Sequence, residues 1–162
     1  MPVIATIPSD TELPERASTV VIGGGIIGTC IALEMAERGL DVVLVEKGEI
    51  AAEQSSRNWG WCRQMGRDPR ELPLARISLD LWRGMNERIG AEAGFRQCGI
   101  VYFSENEAQL AGKRAWFEAN VKSFDLKTEM ITGAKAAELL PGASRPFVGG
   151  MFTPDDGRAE PF

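Results

Sequence analysis

The residues of this chain whose types and spacing bear on chemistry lie close together: Gly23-Gly24-Gly25-Ile26-Ile27-Gly28, followed eighteen positions after the last glycine by Glu46. In a GxGxxG turn each glycine has its own task. Gly23 permits a tight turn, Gly25 lets a pyrophosphate approach the backbone, and Gly28 lets a helix pack close to a strand. The N–H groups around Gly25, Ile26 and Ile27 open the helix, where unpaired donors and the macrodipole favour an anion. Glu46 is placed to accept hydrogen bonds from the ribose hydroxyls of an adenosine, and an acid there repels a 2′-phosphate, which argues against NADP. Lys47 beside it joins the candidate cofactor contacts. FAD and NAD present the same ADP moiety to such a turn, so the turn alone does not separate them.

These residues need a strand, a helix and a second strand to place them. Residues 18–23, STVVIG, predict a strand buried on both faces of a parallel sheet. Residues 26–38 predict an amphipathic helix that Gly39 closes in left-handed geometry, and residues 40–46 a second buried strand, together a right-handed βαβ crossover. Residues 49–70 hold no sustained period and read as a long loop, of the kind that is usually functional. Beyond it the pattern predicts a helix over 71–93, one strand over 95–104, a helix over 105–124, a strand near 128–131 and a helix over 133–140. The last stretch reads as a strand running into a turn at Pro154, Asp155, Asp156 and Gly157, for which turn chemistry is a sufficient reason. The expected fold class is α/β: a Rossmann-like dinucleotide-binding βαβ unit followed by the start of an α+β domain, which the family resemblance described below makes FAD-binding and substrate-binding respectively. Its parts are a lead-in over 1–17, the βαβ unit and cofactor-contact loop over 18–70, and the remaining helices and strands over 71–162.

Composition narrows the function. With 18 Lys and Arg against 23 Asp and Glu, the net charge of −5 gives no general attraction to phosphate backbones or anionic lipid, so nucleic acid is not an expected partner. No basic n-region precedes the prolines at 2, 8 and 14, and residues 20–36 carry glycines and Glu34, so neither a secretory leader nor a membrane span is expected. The 3 cysteines, Cys30, Cys62 and Cys98, lack metal-ligand spacing and the chain has 0 histidines, so no zinc site, disulfide framework or His-assisted nucleophile is expected, and a reducing cytoplasm fits. Arg63, Arg67, Arg70 and Arg76 read as solvated surface, Trp82 as core and Tyr102 as a half-buried strand residue.

Gly23, Gly25, Gly28, Ala32 and Gly39 match an extended pattern common in flavoproteins, and with it the N-terminal region resembles the FAD-dependent oxidoreductase family typified by D-amino-acid oxidase, glycine oxidase and sarcosine oxidase. The resemblance also rests on Ser55-Ser56-Arg57-Asn58-Trp59-Gly60-Trp61, on Gly99-Ile100-Val101-Tyr102-Phe103, and on the terminal Pro154-Asp155-Asp156-Gly157-Arg158-Ala159-Glu160-Pro161. It implies that residues 53–64 pass beside the pyrophosphate and the flavin ring. Ser55, Ser56, Arg57, Asn58, Gly60 and Trp61 are therefore further expected FAD contacts. Arg57 offers a planar fork to phosphate and the serines donate to its oxygens. Trp59 and Trp61 are candidates to flank flavin or substrate, although packing anchors are the commoner role for such tryptophans.

The resemblance further implies hydride removal from an amine-bearing carbon of an amino acid or amine. Family enzymes are longer and return to the FAD domain twice more. On that basis this chain is expected to be an N-terminal portion completed by a complementary polypeptide, with the catalytic residues elsewhere. Two other classes remain open at this point: a non-catalytic dinucleotide-binding subunit of a redox complex, and an NAD-dependent dehydrogenase.

Overall fold

In the computed structural model, which describes residues 6–160, the chain divides into two units, residues up to Trp59 and Gly60–Glu160. Residues 1–5 of the expected lead-in and Pro161 of the terminal motif lie outside the described residues.

The first unit is the βαβ crossover. Strand β1 (Thr19–Ile22) pairs in parallel with β2 (Val42–Val45), from Thr19 opposite Val42 to Ile22 opposite Val45. Helix α1 (Ile26–Glu37) joins them and ends at Arg38, after which Gly39 takes the left-handed φ of 76° expected of it and donates to the Ala36 carbonyl. The burial differs from the sequence expectation. Val21, on the face toward α1, is buried, whereas Val20 and Ile22 on the opposite face are 56% and 86% exposed. A strand alternates its side chains across the sheet, and α1 covers only one face of this two-stranded pair. Nor is α1 amphipathic in the expected sense, because Ile27 and Ile31 are exposed and none of its residues is buried.

The second unit is α+β. It contains β3 (Trp61–Cys62), α2 (Leu72–Ile89), β4 (Phe95–Gln97), β5 (Ile100–Ser104), α3 (Glu107–Asn120), β6 (Glu129–Thr132), α4 (Gly133–Leu139), β7 (Gly149–Thr153) and β8 (Gly157–Ala159). Two antiparallel sheets result, ordered β3-β8-β4 and β5-β7-β6. Residues 95–104 are therefore two strands in different sheets, where the sequence predicted one.

The break has a local cause. Gly99 adopts φ 72° and donates to the Asp156 carbonyl at 2.9 Å. Gln97 pairs with Gly157 and Ile100 with Thr153, so two residues on one strand face three on the other, the geometry of a bulge. Helix ends follow their caps. Asn106 accepts from the Gln109 N–H at 2.9 Å while the Gln109 carboxamide accepts from the Glu105 N–H, which starts α3 two residues later than predicted. Gly90 at φ 66° stops α2, and Pro73 sits in its first turn. The core of this unit holds Met65, Leu72, Leu79 and Met151, with a buried hydroxyl pair between Thr128 and Thr153 at 2.6 Å. Among the described residues no helix is long and apolar enough to cross a membrane, and no cluster of His, Cys, Asp and Glu suits a metal.

Candidate functional site

At the carboxyl end of β1 the chain turns sharply at Gly23, whose φ is 104° and whose N–H bonds the Val45 carbonyl at 2.8 Å. A Cβ on Gly28 would come 1.8 Å from the Gly23 carbonyl oxygen, so α1 leaves the turn at a distance only glycine allows. Gly24 is less strictly confined, since a Cβ there would come 2.4 Å from the movable end of the Ile50 side chain rather than from backbone. Gly25, the N-cap of α1, supplies no side-chain cap, and the first turn carries no acidic residue. The helix thus starts with backbone donors and no anion of its own.

Glu46 closes the turn from the end of β2. Its carboxylate accepts the Gly24 N–H at 2.7 Å and the Gly48 N–H at 2.9 Å. These two bonds, that of Gly24 first, lower its pKa below the ordinary glutamate value. An ionised carboxylate held this way keeps lone pairs for further donors, which is what adjacent ribose hydroxyls require. Sequence reasoning did not foresee that Gly24 and Gly48 orient it; a second glycine close after the acid was the available signal.

The following loop returns to the helix start. Ser55 Oγ accepts the Ile26 N–H at 2.8 Å and lies 3.0 Å from where a Gly25 Cβ would stand. Ala51, at the unusual φ of 61°, ties the loop to the Gly24 carbonyl at 2.9 Å. Asn58 braces it by donating to the Ser55 carbonyl at 2.6 Å. Gly23, Gly25, Ile26, Gly28, Glu46 and Ser55 therefore converge on one end of the βαβ unit, and Ile27 follows in the same first helical turn with an exposed side chain.

The other predicted contacts have partners of their own within each unit. Ser56 is buried and donates to the Glu53 carbonyl at 3.1 Å. Lys47 and Arg57 both reach the Glu53 carboxylate, at 3.4 and 3.5 Å. Gly60 and Trp61 belong to the second unit, where Gly60 accepts the Ala159 N–H at 2.8 Å and the Trp61 ring lies 5.9 Å from that of Tyr102.

The residue that sequence reasoning missed is Asp156. It is 0% exposed, and its two carboxylate oxygens accept the N–H groups of Gln64 at 2.8 Å and Met65 at 3.1 Å. Burial pushes its pKa up against the pull of those two bonds. Next to this strap the Cys62 thiol is pushed up to about 11 by burial, so it is no activated nucleophile.

Strand, glycine turn, helix, strand and a carboxylate locked over the turn define a dinucleotide-binding protein. The profile of the FAD dependent oxidoreductase family matches residues 18–162, and the chain belongs to that family. FAD is its cofactor, and the open helix start, the glycine clearances and the oriented Glu46 fit the ADP half of that molecule. The solved structure of L-amino acid deaminase from Proteus myxofaciens, in complex with anthranilate, is similar with a TM-score of 0.89 and 36% identity, over 97% of this chain and 36% of that one. 4-Methylaminobutanoate oxidase (formaldehyde-forming) of Paenarthrobacter nicotinovorans is 30% identical over 96% of this chain and 19% of its own length. The mitochondrial pyruvate dehydrogenase phosphatase regulatory subunit of Mus musculus is 30% identical over 89% of this chain and 16% of its own length. The chain therefore spans less than a fifth of these two curated relatives and about a third of that solved structure.

Proposed function

We propose that this chain supplies the ADP-binding part of a flavoenzyme that oxidises the C–N bond of an amino acid or amine to an imine. The observation that carries the reading is the Glu46 carboxylate fixed by Gly24 and Gly48 beside a helix start whose N-cap, Gly25, brings no side chain. FAD would supply the hydride acceptor, and water would hydrolyse the imine. The chain's own residues bind and orient: N–H groups from Gly25 to Ile27 face the diphosphate, with Gly23 and Gly28 shaping the turn, and Glu46 grips the adenosine ribose. The Ser55 hydroxyl, now on the Ile26 N–H, has a second site for a phosphate oxygen. Lys47, Ser56, Arg57 and Asn58 form the surrounding wall, where Lys47 and Arg57 offset the diphosphate charge, and the family resemblance adds Gly60 and Trp61 as ring contacts.

The similarity to a deaminase and an oxidase supports this chemistry. A complementary polypeptide or continuation would complete the cofactor and substrate sites, and the cytoplasm is the proposed location. The whole protein, purified and kept anaerobic, tests it: flavin absorbance that bleaches on adding an amino acid or secondary amine is the expected result. Bound flavin inert to every amine would overturn it in favour of a second reading, a non-catalytic subunit, which the likeness to a regulatory subunit favours. A released nucleotide without flavin fluorescence would instead point to an NAD-dependent dehydrogenase.

A further inference from the structure

Residues 46–51 fold back over Gly24 and hold its whole backbone. The Gly24 N–H donates to the Glu46 carboxylate at 2.7 Å, and the Gly24 carbonyl accepts the Ala51 N–H at 2.9 Å. The α-carbon between them is covered as well, since the end of the Ile50 side chain lies 2.4 Å from where a Cβ would stand. The Gly48 N–H, on the other Glu46 oxygen at 2.9 Å, ties the segment back to its own start.

Each of these two backbone bonds also fixes a group on the neighbouring residue. A trans peptide is planar, so its N–H and the carbonyl before it point in opposite directions. With the Gly24 N–H drawn to Glu46, the Gly23 carbonyl is turned the other way, to the point 1.8 Å from where a Gly28 Cβ would stand. The next plane obeys the same rule. With the Gly24 carbonyl drawn to Ala51, the Gly25 N–H is aimed away from residues 46–51. Glycines choose neither direction themselves, because they take φ of either sign readily. Ala51 pays no such indifference to its backbone: it holds φ 61°, a left-handed value that a residue with a Cβ seldom adopts and keeps only where its surroundings demand it.

We propose that Ala51 is a positioning residue for the diphosphate: its N–H, presented by the left-handed turn, pins the Gly24–Gly25 peptide so that the Gly25 N–H donates to a phosphate oxygen. The fold-back thereby divides the work at the site. Glu46 serves the ribose, and Ala51, through Gly25, serves the diphosphate. This role rests on the reading of the glycine turn as an ADP site.

Calorimetry with ADP and adenosine on the whole protein, dialysed free of flavin, tests the role, because the two probes share the ribose and differ in the diphosphate. Ala51→Pro removes the N–H and sets φ at about −65°. It should weaken ADP by about tenfold or more, the loss of one hydrogen bond to a charged group, and leave adenosine within about twofold of the parent. Ala51→Val keeps the N–H but disfavours the left-handed φ, and should weaken ADP selectively by a smaller factor. Ala51→Gly keeps the N–H and takes that φ freely, so its ADP affinity should stay within about twofold of the parent. A residue that merely holds the loop together would move both probes alike. Unchanged ADP affinity in Ala51→Pro, or an equal fold-loss for ADP and adenosine, would overturn the role of Ala51 while leaving the ADP site of the parent in place. A parent that binds no ADP at millimolar concentration would overturn the ADP reading, and the role of Ala51 with it.

Discussion

Replacing Asp156 with Asn isolates the strap at the start of the second unit. The carboxylate accepts two backbone N–H groups 91 and 92 residues away in sequence, and it is 0% exposed. The amide keeps one acceptor oxygen, but its NH2 meets the other N–H donor to donor. One bond to a charged group is lost and one buried donor is left without an acceptor, a cost of about 2–4 kcal/mol. At about 2–4 °C per kcal/mol for a chain of this size, the melting temperature should fall by roughly 4–16 °C.

The pH dependence has a sign. Burial raises the Asp156 pKa above the usual 3.8, so its contribution is fully present below that value and is lost as pH rises through the raised one. The stability gap between parent and Asp156→Asn should therefore widen on acidification from neutral pH. Denaturant melts of both proteins from pH 7 downward are the assay. A gap below about 0.5 kcal/mol at every pH, or one that closes on acidification, would refute the reasoning.

Gly28→Ala should remove soluble protein, since its Cβ would stand 1.8 Å from a backbone oxygen. Gly25→Val, whose Cβ would meet only the Ser55 hydroxyl at 3.0 Å, should keep the melting profile and lose flavin, read as absorbance after gel filtration. Glu46→Gln should weaken flavin retention in dialysis at neutral pH. Because the Glu46 pKa is lowered by the Gly24 and Gly48 N–H groups, the parent should hold its advantage above pH 4.5 and lose it as pH falls through the lowered value. With its thiol pushed up to about 11, Cys62 should be alkylated slowly, because about one molecule in a thousand is ionised at pH 8. Mass mapping after iodoacetamide should find the exposed Cys30 and Cys98 labelled before Cys62.

The βαβ unit was legible because its information is local: β-branched runs, glycine spacing and an acid at fixed distance all act within thirty residues. Helices α2 and α3 were legible for the same reason, through their apolar period. What escaped depends on partners far away in the chain. Asp156 looked like an ordinary turn residue because its bonds to Gln64 and Met65 close across most of the second unit. The 95–104 run kept strand composition throughout, and only its pairing with residues 149–159 reveals the bulge at Gly99. The exposure of Val20 and Ile22 was invisible for another reason: a buried-strand composition records what a face is suited to meet, and nothing among the described residues of the first unit covers it. Within the candidate site, the glycines and Glu46 were read from spacing, whereas the turning of Ser56, Lys47 and Arg57 toward Glu53 is set by loop geometry that spacing does not encode.

The bulge that parts β4 from β5 also parts β8 from β7, so a single two-stranded ribbon passes out of one sheet and into the other. Neither sheet can melt without dragging at the other through that shared ribbon. Amide protons on β7 and β8 should accordingly exchange together, at one common opening free energy, however different the side chains around them.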